Sequence, residues 1–263
     1  MECRKQYARS WQLRMLEDIK DNTNGKFITL TFSNEKFKEH VNIVNQNLDD
    51  KSKLTGYDLD NAVATKAVRL FLERWRKEYG ISLRHFLITE LGHVGTENIH
   101  LHGIVWTNES LDKVEHHRKN GFVWKGKKKG NRIINYVSAK TVNYIIKYVT
   151  KADVDHKGYK SKILCSKGIG SNYIDSYSKG KHRFNESKTN VTYKDESGRI
   201  YNLPIYWRNK LFCEAEREAL WLHLLDRGER YVNGVKCKNY DDYWKLLKAA
   251  QEENRRLGYG GVS

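Results

Sequence analysis

Proline is almost missing from this chain: Pro204 is the only one among 263 residues. Rigid proline corners therefore cannot punctuate it, and turns must rest on glycine, asparagine, aspartate and serine. Long apolar runs are missing as well. No stretch approaches the ~18 consecutive apolar residues that a membrane-spanning helix needs. The opening Met1-Glu-Cys-Arg-Lys5 lacks the apolar centre of a signal peptide. Cysteine is scarce and scattered at Cys3, Cys165, Cys213 and Cys237, with no Cys-x-x-Cys pair. That excludes a disulfide framework and a cysteine-rich structural zinc site, and leads us to expect reduced thiols in a cytosolic setting. A glycine-rich Lys-Ser/Thr phosphate loop is absent too, so no fused helicase is expected, and no internal repeat is evident.

What the chain has in excess is positive charge and aromatic surface. Lys and Arg number 48 against 32 Asp and Glu, a net +16, and there are 16 Tyr and 7 Trp. A surplus of that size suits a polyanionic partner, and tyrosine and tryptophan offer platforms on which unpaired bases stack. A basic, solvated surface is the plainer alternative.

The most informative stretch is Asn98-Ile-His-Leu-His-Gly-Ile-Val-Trp106. Its alternation predicts a strand with His100 and His102 on one face and Leu101, Gly103 and Val105 on the other. Neutral imidazoles are common metal ligands, so the pair makes half a metal site. Upstream, Leu83-Arg-His-Phe-Leu-Ile-Thr-Glu90 reads as a second strand, followed by a turn signal at Leu91-Gly-His-Val-Gly95. An antiparallel pairing would bring Glu90 to the histidines. Two imidazoles and a carboxylate suit Mg²⁺ or Mn²⁺ with open positions.

Downstream, Thr141 to Lys151 predicts a helix capped by Thr141 or Ser138. Val142, Ile145, Ile146 and Val149 recur on one side, and Tyr144, Lys147, Tyr148 and Lys151 on another. Taken alone, that second face is an amphipathic rim whose tyrosines reach for solvent. Beside a metal site it can do chemistry. A tyrosine hydroxyl can attack a phosphodiester when a metal polarises the phosphate, and two tyrosines one turn apart can act in succession.

Elsewhere the periodicity predicts a short N-terminal helix on Trp11, Met15, Leu16 and Ile19, ended near Gly25, and a strand over 26–33. In that strand Phe27, Thr29 and Thr31 share one face, with the threonines expected to pair across the sheet. Residues 34–57 are polar and partly helical. A long helix over 58–79 buries Val63, Ala67, Leu70, Phe71 and Trp75 and stops at Gly80. Residues 109–120 predict a short helix with His116 and His117 on the surface. Residues 122–137 read as a hairpin whose loop carries Lys127, Lys128 and Lys129, which can grip a DNA backbone. Residues 152–188 read mostly as loop, with Gly168-Ile-Gly170 an ordinary turn. A second hairpin around Ser197-Gly198 follows, then helices over 210–227 and 241–256 whose Trp221, Tyr243 and Trp244 are expected to pack.

Three motifs together resemble those of the HUH (His-hydrophobic-His) single-strand endonucleases: Phe27-Ile-Thr-Leu-Thr-Phe32, Glu90-Leu-Gly with Ile99-His-Leu-His-Gly-Ile104, and Tyr144-Ile-Ile-Lys-Tyr-Val-Thr-Lys151. Within that group the chain is most similar to the replication initiators of microviruses, the gokushovirus-like branch. Ser166-Lys-Gly-Ile-Gly170 and Leu203-Pro-Ile-Tyr-Trp207 add to the likeness. It departs from them at Asn98-Ile99, where Arg-Pro is usual, and at Lys167, where proline is usual. The resemblance implies an α+β fold, a central antiparallel sheet with flanking helices and a helical C-terminal extension. Residues 1–155 would be the endonuclease core and 156–263 the extension packed on it. The resemblance further implies that His100, His102 and Glu90 hold Mg²⁺ or Mn²⁺. Tyr144 and Tyr148 would be the nucleophiles, with Tyr148 expected first because Lys147 precedes it. Lys147 would stabilise charge or help deprotonate a tyrosine, and Lys151 would hold phosphate. The partners would be single-stranded DNA at a replication origin and the replication machinery of a bacterial host, in its cytoplasm and away from membrane. Two other readings stand beside this one: a metal-dependent phosphodiesterase that uses water, and a basic single-stranded nucleic-acid binding protein with no chemistry.

Overall fold

The computed structural model describes residues 4–92, 97–150, 155–232 and 235–259. By internal contacts the chain forms two compact units, residues 22–167 and residues 1–21 with 168–263. The first helix, α1 (Arg4–Asp21), belongs to the second unit.

The unit of residues 22–167 holds β1 (Gly25–Leu30), α2 (Asn34–Asn45), α3 (Gly56–Tyr79), β2 (Arg84–Glu90) and β3 (His100–Trp106). These are followed by α4 (Leu111–Arg118), β4 (Val123–Trp124), β5 (Lys127–Lys129), β6 (Arg132–Ile134), α5 (Ala139–Thr150) and β7 (Ile163–Cys165). Five of the strands make one sheet in the order β4-β1-β3-β2-β7, and every pairing in it is antiparallel. The expected α+β fold with a central antiparallel sheet is present.

Period-two alternation divides the sheet's side chains between two environments. Ile28, Leu30, Leu87, Leu101 and Val105 point into a core closed by Val63, Ala64, Ala67, Val68, Phe71 and Trp75 of α3. Burying the two large aromatics contributes roughly 2–3 kcal/mol each. The helix stops at Gly80, which takes a left-handed φ of 70° and donates its N–H to the Arg76 carbonyl. Ser33 caps α2, accepting from the Lys36 N–H. Three expectations need correcting. The lysine stretch 127–129 is not a loop tip but strand β5, paired with β6 in a separate exposed ribbon, because the turn falls at Gly130 and Asn131. His117 is buried against Trp75 and Tyr79, with Glu78 3.2 Å from its Nε2, while His116 is exposed as expected. Residues 163–165, expected as loop, form edge strand β7, so the sheet's unit runs past the expected 155/156 boundary.

The second unit contains α1, α6 (Asn172–Asp175), β8 (Thr192–Lys194), β9 (Ile200–Asn202), α7 (Ile205–Leu211), α8 (Glu214–Asp226), β10 (Tyr231–Val232), β11 (Val235–Lys236) and α9 (Tyr240–Arg256). Its core is aromatic. Trp207 is fully buried, stacks on Tyr173 at 4.2 Å and donates its indole N–H to the Gly170 carbonyl at 2.7 Å. The Gly170 N–H in turn donates to Asp18 on α1, and Arg14 holds the Ile169 carbonyl. A Cβ at Gly170 would lie 2.5 Å from the Arg14 carbonyl oxygen. The Gly168-Ile-Gly170 turn and the Trp207 motif therefore interlock as structure. Trp221 and Trp244, expected to pack, are about half exposed on α8 and α9. No helix among the described residues is long and apolar enough to cross a membrane.

Gly103 tests the packing of the central strand. A Cβ there would meet the Phe86 carbonyl oxygen at 2.0 Å, whereas one at Gly130 would meet nothing within 4 Å although φ is +59°. Gly103→Ala should therefore lower unfolding free energy by about 3 kcal/mol, and Gly130→Ala by only about 1 kcal/mol. Urea unfolding of both variants checks this, and equal losses would mean that strand crowding is not what selects glycine at 103.

Candidate active site

Strand register assembles the site. β3 lies between β1 and β2, so each histidine has a neighbour on either side. Glu90 stands opposite His100 across one ladder, and Thr29 stands opposite His102 across the other. Glu90 Oε2 lies 3.1 Å from His100 Nε2 and 2.9 Å from His102 Nε2. Potential ligand atoms of the three residues all fall within 4.8 Å of one another.

The opposite ring nitrogens are also engaged. His102 Nδ1 is 3.0 Å from Thr29 Oγ1, and His100 Nδ1 is 3.3 Å from the Asn98 carbonyl. Such bonds hold each ring in place and turn Nε2 toward the cluster, which is what outer contacts do for ligating histidines. Two imidazole nitrogens and one carboxylate, all facing one point on rigid strands, fit a divalent cation that keeps open positions for oxygen ligands. Mg²⁺ and Mn²⁺ both meet that description.

Helix α5 covers this cluster with its tyrosine face. Its first turn is steadied by the Ser138 N–H donating to Thr141 Oγ1. Val142, Ile145 and Ile146 are buried, and Lys147 is exposed. Tyr148 stacks on the His102 ring at 4.7 Å with 13° between the planes. Its hydroxyl donates to the Tyr144 hydroxyl at 2.6 Å. Tyr144 is 44% exposed and meets Phe27 edge-on at 5.7 Å. The two phenol oxygens thus share one spot over the metal-ligating side chains. Burial first, then the Tyr144 hydrogen bond and the Glu90 charge, push the Tyr148 phenol above its usual range. A cation among the same side chains would act in the opposite direction.

The sequence-predicted residues thus separate into two places. Glu90, His100, His102, Tyr144 and Tyr148 come together, and Lys147 stands exposed on the same helix. Lys127, Lys128 and Lys129 are exposed on the β5–β6 ribbon. Lys151 lies outside the described residues, as does His93-Val-Gly95 of the expected turn. Sequence reading missed two positioning residues. Thr29 was placed on the correct face but not against His102, since nothing local specifies the β1–β3 register. Asn135 was overlooked entirely. Its side-chain amide accepts from the Phe27 N–H at 2.8 Å and donates to the Phe27 carbonyl at 2.6 Å and to the Lys125 carbonyl at 2.8 Å. It continues the ladder where β4 ends and ties the foot of the ribbon to Phe27, which stacks parallel to His102 at 6.3 Å.

Residues 25–153 match a family model for the replication-associated protein ORF2, also described as the gene 2 protein, just under half of the chain. The match starts at β1, ends just beyond α5 and contains every side chain of the cluster, which supports a replication-associated role for this region. A comparison with curated proteins found no significant match. Among solved structures, the catalytic domain of the adeno-associated virus type 5 Rep protein is similar over 78% of this chain and 99% of that one. The identity is 17% and the TM-score 0.26, a superposition too loose to add to the geometry above.

Thr29 offers a direct check on how the cluster is oriented. Thr29→Val should weaken Mn²⁺ binding by roughly 10–100-fold, read by titration of free Mn²⁺. The same affinity in variant and parent would show that the hydroxyl does not orient His102.

Proposed function

We propose that this protein is a rolling-circle replication initiator, a site-specific endonuclease that nicks single-stranded DNA at an origin by tyrosine transesterification. One observation carries the reading. Two tyrosine hydroxyls in mutual hydrogen bond sit over a Glu-His-His cluster, inside the region that matches a replication-associated family. A cluster that activates water would not need a second phenol beside the first.

Glu90, His100 and His102 would hold the Mg²⁺ or Mn²⁺, which when bound polarises the scissile phosphate. The rest is done by the chain's own groups. A tyrosine oxygen bonds to phosphorus in line with the DNA 3′ oxygen, the P–O3′ bond breaks, and the leaving oxygen takes up a proton. The products are a free 3′-hydroxyl, which primes synthesis by a host polymerase, and a 5′-phosphotyrosine that conserves the energy of the broken bond. Tyr148 is proposed to act first, because it lies on the His102 ring. Tyr144 would cut the regenerated origin in a second, equivalent exchange, and the displaced strand would be rejoined as a circle. Each step replaces one phosphodiester by another, so no ATP is required.

Exposed Lys147 is proposed to stabilise charge at the phosphate, and Lys151 with Lys127, Lys128 and Lys129 to hold the strand's backbone. The nicking core lies in the unit of residues 22–167, with the remaining unit as a helical extension. The proposal includes the microvirus type of initiator, acting in the cytoplasm of a bacterial host together with its replication machinery. The net charge of +16 supports a polyanionic partner.

A gel assay with labelled single-stranded origin DNA and Mn²⁺ tests the reading. The parent protein should yield an adduct that survives denaturation and requires the metal. Tyr144→Phe/Tyr148→Phe should yield none. Tyr148→Phe alone should abolish the first cut, whereas Tyr144→Phe should still complete one round. Cleavage without an adduct would establish water as the nucleophile. Binding of a confirmed origin without cleavage would leave a nucleic-acid binding protein.

A further inference from the structure

Away from the cluster, the corner where β1 leads into α2 buries a cation with no counter-charge. Arg118, the last residue of α4, is completely buried, and none of its three guanidinium nitrogens has a hydrogen-bond partner. The guanidinium lies over the Phe32 ring at 4.5 Å. An aromatic face offsets part of a buried charge, but it supplies no acceptor for the N–H groups.

The surroundings make the deficit larger. Arg74 stands on the same corner, donating to the His117 and Arg118 carbonyls at 2.7 and 3.1 Å. His40 of α2 faces Phe32 from another side. Its Nδ1 is bound to the Lys36 carbonyl, while its buried Nε2 is unpartnered. Asn120, whose carbonyl accepts from the Ser33 N–H, also has a buried side-chain nitrogen without a partner. Burial, then the neighbouring Arg74, pull the Arg118 guanidinium down to about 9, so it stays cationic at neutral pH. No carboxylate among the described residues pairs with it. Removing an unpaired charge from water is costly, and a native fold places something there to meet it.

We propose that Arg118 and the Asn120 amide form an internal binding site for a small inorganic anion of halide size, with His40 at its edge. Complete burial limits the ligand to an ion of one or a few atoms and excludes a DNA phosphate. The ion would link α4, α2 and the end of β1. Gly121-Phe122 pairs with Thr31 in the same place, two residues from the Thr29 that holds His102. The site is therefore a structural one beside the catalytic sheet and does not depend on the proposed nicking activity.

The test is thermal melting of the full chain at constant ionic strength, with chloride replacing gluconate from about 10 to about 300 mM. The parent should gain on the order of 3–6 °C, and Arg118→Met should show no such gain. No gain in the parent, or the same gain in the variant, would overturn the proposal. Should Arg118→Met not fold, parent crystals grown in bromide decide the matter. An anomalous peak within hydrogen-bond reach of the guanidinium supports the site, and ordered water alone there sinks it.

Discussion

The register of β3 against its two neighbours is the constraint on which the rest of the site depends. Side chains alternate along a strand, so a slip of one residue would turn every histidine and its partner to opposite faces. In the register observed, one ladder sets Glu90 against His100 and the other sets Thr29 against His102. The carboxylate then reaches both imidazoles, and a hydroxyl reaches the ring nitrogen that the carboxylate leaves. Gly103 belongs to the same constraint, because the backbone of β2 approaches β3 so closely that no side chain fits there.

Aromatic contacts carry that register outward to α5. Phe27 stacks parallel to His102 and meets Tyr144 and Trp124 edge-on, while Tyr148 lies flat on His102. The helix is held by the burial of Val142, Ile145 and Ile146 on its other side, so the tyrosines are placed by apolar packing and not by polar contacts that a substrate would have to break. Asn135 extends this arrangement to the ribbon by hydrogen-bonding both backbone groups of Phe27. A strand of DNA crossing the tyrosines, as proposed, would have the lysines of an exposed β-ribbon as an adjoining surface.

Much of this was legible in the sequence alone. The alternation at His100 and His102 and the four-residue spacing of Tyr144 and Tyr148 are local properties of a strand and a helix, so the chemistry-bearing side chains could be named. The long helix and its Gly80 stop were legible for the same reason. Illegible features shared a different character. The lysine stretch 127–129 was expected at a loop tip because lysine carries no turn signal of its own, and the actual turn sits just beyond it at Gly130 and Asn131. His117 was expected on the surface because a histidine on a short helix has no periodic neighbour to reveal that Trp75 and Tyr79 cover it. Strand β7 has only three residues, too few for alternation to show, and is a strand only because β2 offers it an edge.

By itself, then, the sequence determined which residues can do chemistry and on which kind of element each stands, since the periods of 2 and 3.6 act over a few residues. The tertiary structure alone decided the ladder that sets Thr29 on His102 and the tie between Asn135 and Phe27, 108 positions apart. It also decided the grouping of α1 with residues 168–263 and the burial of Arg118 without a counter-charge. Each of these depends on which distant segments meet, and short-range pattern carries no record of that.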